Sequence, residues 1–127
     1  METKEQTPAK PGRGPRIASI MVNALDAAQL SAFWSELLDT PVSAEHEGFI
    51  WLRPSEPGAP QLAFQQVAVP TEGRRRLHLD LHDADPAALR RKAELLGAAF
   101  VEGYDVADFH WDVMRDPEGN EFCIAQE

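Results

Sequence analysis

The chain has 127 residues, 43% of them hydrophobic, and 12 Lys+Arg against 21 Asp+Glu give it a formal net charge of −9. That length suits one domain whose core needs no metal or disulfide staples, and the acidity argues against a nucleic-acid or anionic-membrane partner. No apolar run approaches the roughly 20 residues of a spanning helix, and Cys123 is the one cysteine, so a soluble, cytoplasmic protein without an internal disulfide is expected.

Residues 1–16 differ from the rest. Pro8, Pro11, Pro15, Gly12 and Gly14 stand among almost no apolar side chains, a composition that cannot bury enough surface to order itself. A disordered N-terminal arm is expected, followed by one domain over 17–127. Four basic residues against two acidic ones give the arm +2, which leaves −11 on the domain.

In chain order, Ile17 to Asn23 is an apolar segment that predicts a strand and runs into Asp26. Asp26 is a good N-cap, and Gln29 at N3 would complete a capping box. Leu30, Phe33, Trp34, Leu37 and Leu38 then follow helical spacing along one broad apolar stripe. Short strands are predicted at 41–44, 48–54 and 61–67, with a Gly-containing turn before the last.

The same order then recurs. Leu77 to His82 alternates strictly, which predicts a strand, and runs into Asp85, an N-cap with Pro86 at N1. Leu89, Ala93 and Leu96 form a thinner helical stripe, and Gly97 suits the C′ position. Strands are predicted at 98–102, 109–117 and 121–125. Superposing Asp26 on Asp85 brings Leu30 onto Leu89 and Leu37 onto Leu96, an offset of 59. Each half, 17–68 and 75–126, thus reads strand–helix–strand–strand–strand. The predicted fold class is α+β: two tandem βαβββ modules forming an open, curled mixed sheet, with each helix covering one face.

Alternation places His78, Asp80 and His82 on one side of their strand and Leu77, Leu79 and Leu81 on the other. The leucines are expected in the core beneath the helices. The polar side is expected to line the concave face, where a carboxylate beside an imidazole makes an acid–base pair. Trp34 is expected in the core. Trp51 and Trp111 occupy matching strands, where either core packing or stacking on a planar ligand is open to them. His110 is out of phase with Trp111 and cannot share its face. Arg74 to Arg76 and Arg90 to Lys92 are expected to be a solvated loop and a solvated helix face. Cys123 is read as a small buried hydrophobe.

The βαβββ duplication, with Asp-Pro-Glu-Gly-Asn-Glu-Phe at 116–122 before the last strand, resembles the vicinal oxygen chelate superfamily. That group includes glyoxalase I, extradiol dioxygenases, epimerases and bleomycin-resistance proteins. The segments Leu62 to Gln65, Leu77 to Leu81 and Gly119 to Cys123 are most similar to its small bacterial glyoxalase-like branch. The resemblance implies two half-barrels enclosing a ligand cavity. In metal-dependent members it implies four His or Glu ligands that hold a divalent cation, which would act as a Lewis acid. The matching positions here are Ser19, His78, Ala63 (or Gln65 with the register shifted by two) and Cys123, with Glu121 two residues before Cys123 on the same side. Only His78 and the displaced Glu121 suit the cation, so an incomplete site is expected and no cofactor is required. Zn, Ni, Fe or Mn is the divalent metal that a complete site would take.

The function expected is that of a bleomycin-resistance-like, dimeric binder of a small organic molecule in the cavity of the curled sheet. Trp51, His78, Asp80, Trp111, Glu121 and Cys123 are its candidate ligand-binding residues, and His78, Asp80 and Glu121 the candidate catalytic ones. One alternative is a metal-dependent lyase, isomerase or dioxygenase using His78 and Glu121 as ligands. Another is a non-catalytic interaction module. The expected partners are a small molecule and a second copy of the chain in a homodimer.

Overall fold

The computed structural model describes residues 18–70 and 77–127. The expected arm over 1–16 and the Arg74 to Arg76 loop lie outside the described residues. Ten elements follow one another: β1 (Ser19–Ala24), α1 (Ala27–Leu38), β2 (Val42–His46), β3 (Phe49–Leu52), β4 (Gln61–Gln66), β5 (Leu79–Asp83), α2 (Pro86–Leu95), β6 (Ala99–Val106), β7 (Phe109–Arg115) and β8 (Glu121–Gln126). They build two four-stranded mixed sheets, ordered β1-β4-β3-β2 and β5-β8-β7-β6. In each sheet the first strand pairs parallel with the last, as the helical crossover allows, and the other pairs are antiparallel. Neither sheet closes on itself.

Both helices start where the capping chemistry places them. Asp26 accepts the Gln29 N–H at 3.0 Å, and Asp85 accepts the Ala88 N–H at 3.0 Å. The expected capping box is completed differently, however. The Asp26 N–H donates to Glu118 Oε2 at 2.8 Å and the Leu25 N–H to Glu118 Oε1 at 2.7 Å. A carboxylate from the second half thus serves the start of the first helix, where it also suits the positive end of the helix dipole.

The core lies between the helices and the faces of the two sheets that they cover. Ile50, Leu52, Leu62 and Phe64 meet Leu30, Phe33, Trp34 and Leu37 of α1, and the same core continues into Met114, Phe122 and Ile124 of the second sheet. Trp34 and Phe33 stand edge-on to Phe122, with ring centroids 4.9 and 6.3 Å apart. The helix of one half therefore packs on the last strand of the other, and one core serves both.

Three expectations are corrected. Leu77 lies outside the core and is 82% exposed, because it precedes β5 and no helix reaches it; Leu79 and Leu81 do pack against the core. Arg91 and Lys92 are exposed as expected, whereas Arg90 is only partly solvated. Its guanidinium lies 3.7 Å above the Phe100 ring and pairs with Glu94 and Asp112, since a long side chain at the margin of α2 covers apolar surface with its stem. β6 extends to Val106, beyond the expected end at 102. Gly103 and Asp105 have turn-like composition, but pairing with β7 overrides it.

Two tight hairpins belong to the duplication. Glu47 and Gly48, both at positive φ, join β2 to β3, and Ala107-Asp108 joins β6 to β7 with Ala107 at φ 54°. They fix the register that pairs His46 with Phe49 and Val106 with Phe109. Among the described residues no helix is long and apolar enough to cross a membrane.

Candidate functional site

The second sheet presents its uncovered face as transverse rows, read across neighbouring strands. One row runs His82, Ala125, Trp111, Tyr104; the next runs Asp80, Cys123, Val113. Glu121 stands opposite Arg115 in a third, and His78 lies just ahead of β5 beside them. The face is therefore graded, aromatic at one end and charged at the other.

These rows floor an open cleft of about 1270 Å³, rimmed by Leu25, Val69 and Leu77. Tyr104 and Trp111 stack with centroids 5.5 Å apart and planes 18° apart, and Phe109 continues the line 5.8 Å from Trp111. Phe109 also tilts toward His82, 6.5 Å away. Ala125 stands between His82 of β5 and Trp111 of β7 in its row, and its small side chain is buried.

At the polar end, His78 Nε2 is 3.1 Å from Asp80 Oδ1. The Cys123 thiol is pushed up to about 11, first by its burial and then by the Asp80 charge and hydrogen bond and by Glu121. It is a protonated thiol at neutral pH, and this makes it a weak nucleophile. Glu121 faces Arg115 at 3.8 Å.

His78, Asp80, Trp111, Glu121 and Cys123 all line this one cleft. Trp51 is placed elsewhere. It stacks on Phe49 in the first sheet at 5.7 Å, with planes 19° apart, and does not line the cleft. Tyr104, Phe109 and Ala125 also line it and are not among the residues expected from the sequence. Phe109 had a signal, since it shares the phase of Trp111 two positions on. Tyr104 and Ala125 had none, because their roles depend on pairing across strands.

Of the four positions the resemblance implies, Ala63 is fully buried and offers no donor atom, and Ser19 belongs to the first sheet. An octahedral site rich in oxygen and nitrogen is therefore not formed by that set. His78, Asp80 and Cys123 instead form a compact group, each with a ligand atom within 4.8 Å of the others. A histidine nitrogen, a carboxylate oxygen and a thiolate suit a borderline-soft cation such as zinc.

The sequence model of a glyoxalase-like domain matches residues 19–125. No curated protein matches the chain in sequence. Among solved structures, a glyoxalase/bleomycin resistance protein/dioxygenase family enzyme from Burkholderia phytofirmans PsJN superposes at TM-score 0.74 with 19% identity, over 88% of this chain and 98% of that one. A glyoxalase/bleomycin resistance protein from Albidiferax ferrireducens T118 follows at TM-score 0.66 and 18% identity, over 87% and 97%. The fosfomycin resistance protein FosX from Mesorhizobium loti matches at TM-score 0.68 and 13% identity, over 91% and 92%. At these identities the likeness is one of fold, and one fold hosts many chemistries. The family match, the paired βαβββ modules and the turn at 116–120 agree: the chain belongs to the glyoxalase-like domain family of the vicinal oxygen chelate superfamily.

Proposed function

We propose that this protein binds a flat, unsaturated small organic molecule in the cleft of its second sheet. The observation that carries this reading is the aromatic row of Tyr104, Trp111 and Phe109, which lines the same cleft as Asp80, Cys123 and His78. Rings of Trp111, Phe109 and Tyr104 offer faces for stacking, while the polar row supplies directional hydrogen bonds. The chain's acidity opposes nucleic acid or an anionic membrane as partner, and a free thiol suits the reducing cytoplasm. A second copy of the chain is the partner proposed for the first sheet, whose Phe49–Trp51 stack repeats the Phe-x-Trp of the second sheet outside the cleft.

The test is a thermal-shift screen of the full chain with planar aromatic compounds, repeated with Trp111→Ala to remove the stacking face. A hit present at 100 times its Kd stabilises the fold by about 2.7 kcal/mol, and the shift disappears in the variant. Hits that persist in Trp111→Ala would overturn the aromatic row as the binding place. Light scattering of the same samples reads the dimer, and a mass of one chain at micromolar concentration overturns that part.

The second reading, a metal-dependent lyase, isomerase or dioxygenase, is favoured by one observation, the His78, Asp80, Cys123 group. Zinc binding there would release the Cys123 proton, so affinity would fall as pH falls. Metal analysis of protein purified without chelator decides it. Near-stoichiometric metal that Cys123→Ala and His78→Ala both abolish supports the reading, and metal-free protein that takes up no added zinc ends it.

A further inference from the structure

Trp111 and Phe109 face the cleft, and the residue between them faces away from it. His110 lies on the opposite side of the β6–β7 hairpin with a carboxylate at each ring nitrogen. Nδ1 is 2.9 Å from Asp105 Oδ1, and Nε2 is 2.9 Å from Asp112 Oδ1. A neutral imidazole carries one N–H and can satisfy only one of these acceptors; the imidazolium donates to both.

The surrounding structure is arranged for that ring. Gly103 pairs with Asp112 across the hairpin, and a Cβ there would stand 3.0 Å from His110 Cε1 and 3.2 Å from Asp112 Oδ1. Its missing side chain provides the room in which the ring lies across the two strands. Asp112 accepts from Arg90 of α2 through its other oxygen at 3.4 Å, and Arg90 in turn pairs with Glu94 at 3.5 Å. The charged groups around His110 are thus Asp105 of β6, Asp112 of β7, and Arg90 with Glu94 of α2.

We propose that His110 is a proton-controlled clamp on the aromatic wall of the cleft: as an imidazolium it bonds Asp105 of β6 and Asp112 of β7 at once behind Tyr104, Phe109 and Trp111, and its deprotonation, which gives up one of the two bonds, loosens that wall. The hydrogen bonds to Asp105 and then Asp112, with the charges of the same carboxylates, hold its pKa above the usual 6.5, against desolvation that lowers it. A raised folded-state pKa fixes the sign. The clamp is complete below the ordinary histidine value and is lost as pH rises through the raised one. The consequence for ligand affinity rests on the cleft reading above; the clamp itself does not.

The test uses the full chain and two readouts. NMR follows the His110 ring through its titration, and hydrogen exchange, corrected for intrinsic pH dependence, gives the protection of amides 104–111 over the same range. His110 is expected to titrate above 6.5, and protection to fall roughly twofold to fivefold through the same midpoint, the size of an exposed charged pair. His110→Gln removes that midpoint from the exchange profile, and Asp105→Asn lowers it; His82→Gln, across the cleft, leaves it in place. A midpoint at or below 6.5, or a protection profile that is the same in His110→Gln, overturns the clamp. N-phenyl-1-naphthylamine, a neutral aromatic probe, then reads the cleft. Binding that weakens with the same midpoint extends the clamp to the ligand, whereas absence of binding with the exchange profile intact supports the clamp and counts against the cleft reading alone.

Discussion

Trp34 of α1 donates its indole N–H to Asp116 Oδ2 at 3.0 Å, joining a helix of the first half to a turn of the second across 82 positions of sequence. Asp116 is 4% exposed. Its other bonds are local: Oδ1 accepts the backbone N–H groups of Glu118 and Asn120, both at 2.9 Å, and the Asn120 side-chain amide donates to both carboxylate oxygens. One buried carboxylate thereby shapes the turn before β8 and orients the ring that packs on Phe122.

Asp116→Ala strands the Trp34 donor and the turn donors together. Each unsatisfied buried group costs about 1–3 kcal/mol, so a loss of at least 3 kcal/mol is expected. Trp34→Phe keeps most of the ring burial and leaves the carboxylate one donor short, so about 1–2 kcal/mol is expected. Urea unfolding at constant m measures both, and equal losses would contradict the assignment of Asp116 as the shared acceptor.

Glu118 caps a helix from the other half of the chain. Glu118→Ala leaves the Leu25 and Asp26 N–H groups to water and removes a charge from the positive end of α1. A destabilisation of about 1 kcal/mol is expected, close to that of Asp26→Ala. The double variant should lose less than the sum of the two, because the caps share one helix terminus; strict additivity in the cycle would show them to be independent.

Cys123 should alkylate slowly despite its place in an open cleft. With its thiol pushed up to about 11 from 9.0, the thiolate at pH 8 is scarcer than in an unperturbed thiol by roughly a hundredfold, and iodoacetamide should react correspondingly slowly. Asp80→Asn removes one of the charges that raise the value and should speed the reaction. The raised folded-state value also means that this thiol favours the fold below pH 9 and that the benefit is lost as pH climbs from 9.0 to about 11. Alkylation as fast as that of a free thiol would refute the assignment.

Phe122 joins the two halves through rings rather than charges. Phe122→Ala removes a fully buried side chain that meets both Phe33 and Trp34, and about 3–5 kcal/mol should be lost. Leu95→Ala, at a side chain 89% exposed on α2, should change stability by no more than about 0.5 kcal/mol. Thermal unfolding of the pair compares them directly.

The cleft was only half legible beforehand. Alternation of His78, Asp80 and His82 put three polar side chains on one face, and that face does floor the cleft. Trp51 and Trp111 looked equivalent, since each ends a Phe-x-Trp. They part because Trp111 shares a row with Ala125 and His82, whereas Trp51 faces Ala63 and Ala44 in the other sheet. Asp80 gained importance through its register with Cys123, and Glu118 through reaching the other half. Arg90 looked like part of a solvated basic run because nothing local reveals Phe100 beneath it.

Composition and periodicity by themselves determined the element order, the duplication and the start of each helix, and the motif at 116–122 pointed to the family. Those features depend on interactions within a few residues: a cap bonding three positions on, a stripe at helical spacing, a strand alternating every second residue. Tertiary structure alone decided which of two similar aromatic strands faces a cleft, which carboxylate caps α1, and what holds His110 from both sides. These depend on contacts between residues distant in sequence, set by strand register and by the single core that α1 builds across both halves. The acidic chain of 127 residues folds as two halves, and Trp34, Phe122 and Asp116 make those halves one structure.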